Sequence, residues 1–406
     1  MDKSSIILSH SGKQHSYHVA KALLDLGYLK FFYTSSYIKS EKIQRLIQKK
    51  EWSFLSRRFL PGLGNGHVRS AWKYEIKELI YRKIKGNGKL VNELVFERDE
   101  KFDKDLSKKL TGLKYSLFWG FQGSCRDSLI TANNMGKQSI CEMTIAHLPF
   151  AKKLLHEEAL LHPDWADSID FANFPADYEE RLIQEPQIAK KVIAISSFLK
   201  STLVQEGIPA DKVTVIPLGF DAGAIPFNPE TLSIAKRPLR LLYAGRITQR
   251  KGMKYLLEAV KQFSKAEVEL HVIGNIYGSG EAFNKYRELY NYKKGISQAA
   301  LFKQYGEYDA LVFPSVLEGF GLVTVEAMGA GLPVITTPNT NAAEVLQDGI
   351  NGYLVPIRNT EAIVNAIAAL RAMDNNHFQQ MRLAARETAL RYSWDVYKKR
   401  LASFLH

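Results

Sequence analysis

Short apolar runs rich in β-branched and aromatic residues alternate with longer stretches of helical spacing along almost the whole chain, and no other feature narrows its folds as much. Near the start the pattern predicts a buried strand over residues 5–9, a loop over 10–16, a helix over 17–26 closed by Gly27, and a second strand over 29–34. Further strands are expected at 115–119, 138–141, 192–195 and 213–216, with helical stretches between them. Strands separated by helices cannot pair as hairpins, so the alternation implies a parallel sheet covered on both faces.

Residues 217–229 hold three prolines and two glycines, sustain no regular element and suit a linker. Beyond them the pattern restarts, with strands expected at 239–244, 268–273, 310–313 and 334–336 and helices from Met253, near Gln298 and from Leu322. A chain of 406 residues with this break divides into two α/β domains. Hydrophobic residues at 46% and charged residues at 24% are enough to build both cores.

Charge is uneven. Residues 1–110 hold 23 Lys and Arg against 12 Asp and Glu, whereas the remainder holds 32 against 30, so most of the net +13 sits in the first quarter. Lys42, Arg45, Lys49, Lys50, Arg57 and Arg58 interleave with Ile43, Leu46, Ile47, Trp52, Phe54, Leu55, Phe59 and Leu60. Residues 40–60 therefore suit a basic amphipathic surface lying on anionic lipid, and a solvated helix packed on its own domain is the equal alternative. No recognition motif accompanies the charge, so no nucleic-acid partner is expected. The opening residues offer too short an apolar run for a signal peptide, and no stretch approaches the ~20 apolar residues of a membrane-spanning helix. The chain reads as cytoplasmic, either free or peripheral on the inner face of the membrane. Cys125 and Cys141 lack metal-ligand spacing and read as core thiols.

Two segments carry chemistry. In Pro314-Ser-Val-Leu-Glu318-Gly319-Phe320-Gly321-Leu322-Val323-Thr-Val-Glu326 a strand ends at Phe313, a glycine-bearing loop follows and a helix opens near Leu322. Free backbone N–H groups at that helix start face the crevice above the strand ends and suit an anion. Glu326 falls in an apolar turn where an unpaired carboxylate is costly, so it calls for a partner such as vicinal ribose hydroxyls. Glu318, nearer the loop, is placed to accept from sugar hydroxyls. In Gly245-Arg246-Ile-Thr-Gln-Arg-Lys251-Gly252 a second strand runs into a loop that opens a helix, and Arg246 and Lys251 offer a planar fork and a mobile point charge to a diphosphate. Taken singly, each of these residues is as well explained by a salt bridge within the fold; the pairing of the two segments favours a ligand.

Together, Gly245-Arg246-x4-Lys251-Gly252 and Pro314-Ser-x2-Glu318-Gly-Phe-Gly-x4-Glu326-Ala-x3-Gly-x-Pro333-Val resemble the retaining glycosyltransferases of family 4, the group 1 glycosyltransferases with the GT-B fold. The match is specific over residues 239–357. It implies two facing Rossmann-like domains with a deep cleft, an acceptor-side domain at 1–222 and a nucleotide-sugar-binding domain at 223–392. A C-terminal helix in 393–406 is expected to cross back to the first domain near Tyr392-Ser-Trp394. The resemblance gives Arg246 and Lys251 to the diphosphate, Glu326 to the ribose and Glu318 to the donor sugar. Gly245, Gly319 and the amides of Phe320, Gly321, Leu322 and Val323 complete the donor site. Gly12, in His10-Ser-Gly12-Lys-Gln-His15, stands at the family's first loop by the phosphates, where a Gly-Gly pair is common; His147 resembles the active-site histidine against the donor sugar.

The implied reaction moves a hexose-type sugar, with retention and without a required metal or cofactor, from a nucleotide diphosphate donor to a glycan or lipid-linked acceptor of surface polysaccharide or lipopolysaccharide synthesis. A UDP-sugar is the first expectation and GDP-mannose the next. The Asp103-Lys104-Asp105 run reads as a solvated helix face rather than a metal site. Two other classes stay open: a sugar-nucleotide epimerase on the same two-domain plan, and a membrane-surface binding protein with a vestigial donor site.

Overall fold

In the computed structural model, which describes residues 5–48, 55, 58–64, 66–85, 89–169, 174–229, 234 and 237–406, the run Ile6–His10 is buried at every position, as a strand covered on both faces must be. It forms β1 (Ile6–His10). The first sheet continues with β2 (Leu29–Thr34), β3 (Val68–Ser70), β4 (Leu117–Phe121), β5 (Gln138–Met143), β6 (Lys191–Ala194) and β7 (Val213–Val215), in the order β3-β2-β1-β4-β5-β6-β7. All its pairings are parallel, and β1 sets Ile6 opposite both Leu29 and Leu117. The helices along this half are α1 (Ser16–Asp25), α2 (Glu41–Gln48), α3 (Ile76–Lys85), α4 (Lys89–Leu110), α5 (Arg126–Asn134), α6 (Leu148–Leu161), α7 (Ala176–Ile188) and α8 (Ser197–Gln205).

The second sheet comprises β8 (Leu239–Ala244), β9 (Val268–Ile273), β10 (Tyr290–Lys293), β11 (Ala310–Phe313), β12 (Val334–Thr336) and β13 (Gly352–Leu354), in the order β10-β9-β8-β11-β12-β13 and again parallel. Its helices are α9 (Met253–Val260), α10 (Glu281–Asn284), α11 (Gln298–Gln304), α12 (Leu322–Gly329), α13 (Ala342–Val345), α14 (Thr360–Ala372) and α15 (Asn375–Leu390). The chain is thus an α/β molecule of two parallel sheets.

After α15 the chain returns to the first half. Phe220 pairs with Ser393 in a parallel bridge, and its N–H donates to the Tyr392 carbonyl at 2.8 Å. Ser393 caps α16 (Trp394–Leu405), which lies against α1 with His18 stacked on Trp394 at 3.9 Å. Tyr397, Leu401 and Leu405 join Tyr17 and Leu23 in one core cluster of the first half. A second, larger cluster runs unbroken from Ile7 and Phe118 through Leu218 and Phe220 into β8 and β11, so the two halves share apolar packing.

Candidate active site

β8 and β11 are neighbours in the second sheet, so the loops leaving their carboxyl ends lie side by side, and these loops are the two motif segments. The N–H groups of Val316 (3.0 Å) and Leu317 (3.2 Å) donate to the Arg250 carbonyl, and Arg250 Nη1 donates back to the Leu317 carbonyl at 2.8 Å. Gly252, at φ +73°, is required there, because a Cβ would lie 2.0 Å from the Pro314 carbonyl oxygen. This packing brings Lys251 Nζ into an ion pair with Glu318 and leaves Arg250 Nη1 3.4 Å from the same carboxylate. Lys251 is buried and Glu318 half-buried, so the pair is stronger than one on an open surface. Arg246 and Gly245 are exposed; the Arg246 guanidinium lies 5.5 Å over the Tyr277 ring. Arg250 is thus a site residue that the sequence reading passed over, although it stands inside the motif.

Gly321 (φ +78°) begins α12, and no side chain caps that helix, so its positive end keeps an affinity for anions beside Leu322 and Val323. Phe320 is buried beneath the loop. Gly319 meets the first domain. A Cβ on it would lie 2.2 Å from the Thr144 carbonyl oxygen, and its own carbonyl accepts from Ser196 Oγ at 2.7 Å. Thr144, Ile145 and Ala146 face Arg250, Leu317, Glu318 and Gly319 across a cavity of about 130 Å³. Typical ligand sites hold roughly 300–1,000 Å³, so this cavity is smaller than a site for a whole nucleotide sugar.

Glu326 sits within α12 and is buried, but it does not wait for a ligand to satisfy it. Gln298 Nε2 donates to one oxygen at 2.5 Å and the Tyr305 hydroxyl to the other at 3.2 Å. The partner that the sequence calls for is met within the fold, by Gln298 and Tyr305. Burial pushes the Glu326 carboxyl upward, against the pull of both hydrogen bonds.

In the first domain His147 is the N-cap residue of α6 and directly follows the cavity wall Thr144–Ala146. Its N–H donates to Thr202 Oγ1 at 3.1 Å, and its buried Nδ1 has no hydrogen-bond partner among the described residues. Burial lowers its pKa to about 4, so the imidazole is neutral near pH 7. His10 is similar. Its Nδ1 accepts from the Gly12 N–H at 3.1 Å, which leaves the proton of the neutral ring on Nε2, a buried donor with no described partner. Burial, then Arg98, takes its pKa to about 3. Gly12 makes room for Arg98, whose Nη2 lies 3.3 Å from where a Cβ would stand.

One further expectation changes. Asp103 is not on a solvated face: it is fully buried, pairs with Arg181 at 2.6 Å and accepts the N–H groups of Asp127 (2.7 Å) and Ser128 (3.0 Å) at the start of α5. The Lys-rich sequence masks the inward side of α4. Cys125 and Cys141 are buried with sulfurs 4.0 Å apart, close to Glu185, whose oxygens are taken up by the N–H groups of Gly123, Cys125 and Arg126.

α6 begins at the first sheet and ends against the second domain. Its fully buried Glu158 accepts from Gln249 Nε2 (2.7 Å), the Tyr255 hydroxyl (2.8 Å) and Arg358 Nε (2.7 Å). Arg358 holds φ +60°, a left-handed conformation that a non-glycine residue adopts only when its surroundings enforce it. One helix thus connects the His147 loop to the loop bearing Lys251.

Residues 238–372 match the family model described as glycosyl transferases group 1. The chain is 32% identical over 237 residues to the lipopolysaccharide 1,2-N-acetylglucosaminetransferase of Salmonella typhimurium, covering 53% of this chain and 61% of that one. It is 26% identical over 230 residues to the putative colanic acid biosynthesis glycosyltransferase WcaL of Escherichia coli, covering 53% and 56%. The matches thus span about three-fifths of the length of these curated relatives. Among solved structures, Anabaena HepE in complex with UDP and glucose superposes with a TM-score of 0.62 at 15% identity, covering 98% of each chain. The lipopolysaccharide outer core galactosyltransferase WaaB gives 0.59 at 17%, also over 98% of each chain. The architecture is the GT-B fold. The likeness to the group 1 glycosyltransferases lies in residues 238–372, and this matched region is the one that holds Lys251, Glu318 and Glu326.

Proposed function

We propose that this chain is a retaining glycosyltransferase of family 4 that moves a hexose-type sugar from a nucleoside diphosphate donor to a glycan or lipid-linked acceptor, in the synthesis of surface polysaccharide or lipopolysaccharide. The observation that carries the reading is that Arg250 and Glu318 line one wall of a cavity whose other wall is Thr144–Ala146, with Lys251 paired to Glu318 behind it. Cations for a departing diphosphate and a carboxylate for sugar hydroxyls stand together, opposite the acceptor-side domain. In this reading the diphosphate takes Lys251 from Glu318, Arg246 adds its planar fork, and the start of α12 faces the phosphates. Glu318 is then released to accept from the donor sugar, while neutral His147 offers it a hydrogen bond.

The acceptor hydroxyl attacks the anomeric carbon from the face that the diphosphate leaves. The bond from that carbon to the phosphate oxygen breaks as the bond to the acceptor oxygen forms, and the acceptor's proton passes to a phosphate oxygen of the leaving nucleoside diphosphate. Lys251 and Arg246 stabilise the charge that grows on it, so the step needs neither a protein nucleophile nor a metal ion. A UDP-sugar is the favoured donor, supported by the names of relatives that use N-acetylglucosamine and of a like-folded chain bound to UDP, with GDP-mannose next. A cytoplasmic site of action goes with this reading.

The test is thermal unfolding of the purified chain against a panel of nucleoside diphosphates and nucleotide sugars. A ligand at about 100 times its Kd adds about 2.7 kcal/mol of stability, a clear rise in Tm. One nucleoside diphosphate is expected to stabilise the wild type and to act more weakly on Lys251→Met; no response to any of them defeats the reading.

A further inference from the structure

At the carboxyl edge of the first sheet, Glu75 accepts from Ser35 Oγ (2.7 Å) and Ser36 Oγ (2.5 Å) and pairs with Arg58. The chain leaving β2 and the chain entering α3 are thereby tied at one point, from which α2 and α3 both set out. α3 turns Glu78 and Leu79 inward. On its opposite side Ile76, Ile80 and Ile84 are 52%, 42% and 70% exposed, and their four-residue spacing draws them into one stripe. Ile43 and Leu46 on α2 are each more than half exposed, and Leu90 at the start of α4 is nearly so. Lys42 and Arg45 on α2 and Lys77, Arg82 and Lys83 on α3 flank these apolar side chains. Ile76, Ile80 and Ile84 on α3, with Leu90 on the adjoining α4, form more than the scattered singles of an ordinary surface.

We propose that the α2–α3 face lies on an anionic lipid surface. The stripe supplies what enters the acyl boundary and the flanking cations supply the match to acidic headgroups. Among the described residues no helix is long and apolar enough to cross a membrane, so the face lies on the bilayer rather than spanning it. This moves the contact away from the full 40–60 segment. Phe59 and Leu60 pack against the core and Arg58 is paired with Glu75, while Lys49, Lys50, Trp52, Phe54 and Arg57 fall outside the described residues. Because Ile76 directly follows Glu75, the stripe begins at the edge of the sheet that also carries the His10 loop. A bilayer on this face would stand close to the first domain's side of the cleft.

The test is co-sedimentation of the full chain with phosphatidylglycerol-containing vesicles and with pure phosphatidylcholine vesicles, at low and at high salt. Binding is expected to the acidic vesicles, weaker by about tenfold or more on neutral vesicles or at high salt. The Ile80→Glu, Ile84→Glu double variant is expected to lose that binding by about tenfold or more while keeping the wild-type Tm and nucleoside diphosphate response. These residues touch nothing in the donor site, so a failed nucleotide response and a failed vesicle response are told apart. Equal binding to both vesicle types, no binding, or an unaffected double variant overturns the proposal. So does a concentration-dependent dimer that the variant abolishes, since a second copy would then cover the face.

Discussion

Two sets of lysines in the molecule stand in opposite surroundings. In the second domain Lys251 is buried under a neighbouring loop, locked to Glu318 and surrounded by glycines that leave no room for side chains. In the first, Lys42, Lys77 and Lys83 ride on exposed helices beside exposed isoleucines. The same residue type is a fixed electrostatic part in one place and an adaptable surface in the other, and burial makes the difference.

The comparison is most severely tested at Lys251. Lys251→Ala is expected to lower turnover by roughly 10²–10³-fold in a chain that still folds, read as nucleoside diphosphate release, because the lost interaction acts on growing phosphate charge. Lys77→Ala, on the exposed face, is expected to leave turnover on a soluble acceptor unchanged; a matching loss there would erase the distinction. A smaller contrast lies in stability. Arg358→Ala leaves Glu158 buried without its cation and is expected to cost about 3 kcal/mol in denaturant unfolding. Arg391→Ala breaks an exposed pair with Glu387 and is expected to stay within about 0.5 kcal/mol.

The smallest effect concerns pH. Burial first, then His15 and Lys13, holds His18 down from 6.5 to about 4 while it stacks on Trp394. Unfolding in that interval takes up a proton, so this site makes stability fall as pH drops from about 6.5 to about 4 and level off below. His18→Phe keeps a ring against Trp394 and is expected to remove about one proton from the slope of unfolding free energy against pH in that window, measured by denaturant titration at several pH values.

The fold was legible because buried parallel strands announce themselves as apolar runs, as in Ile6–Ile7–Leu8 and Leu311–Val312–Phe313. The two motif loops were legible because glycine punctuation and charge sit within a few residues of each other. Gln298, Tyr305, Glu158 and Arg358 were not: each acts through a partner far away in sequence, and no local spacing marks such a pair. The amphipathic face was half legible. Cation-rich helical spacing was visible in the first quarter, but only three dimensions show that Phe59 and Leu60 turn inward while Ile80 and Ile84 face water.

The bridge between Phe220 and Ser393 sets the outward and the returning passage of the chain side by side. Two adjacent crossings hold the halves as two stitches hold a seam: sliding or twisting there would strain both at once. The alignment that sets Gly319 against Thr144 thus has a tether of its own, in the linker pair and apart from the cleft.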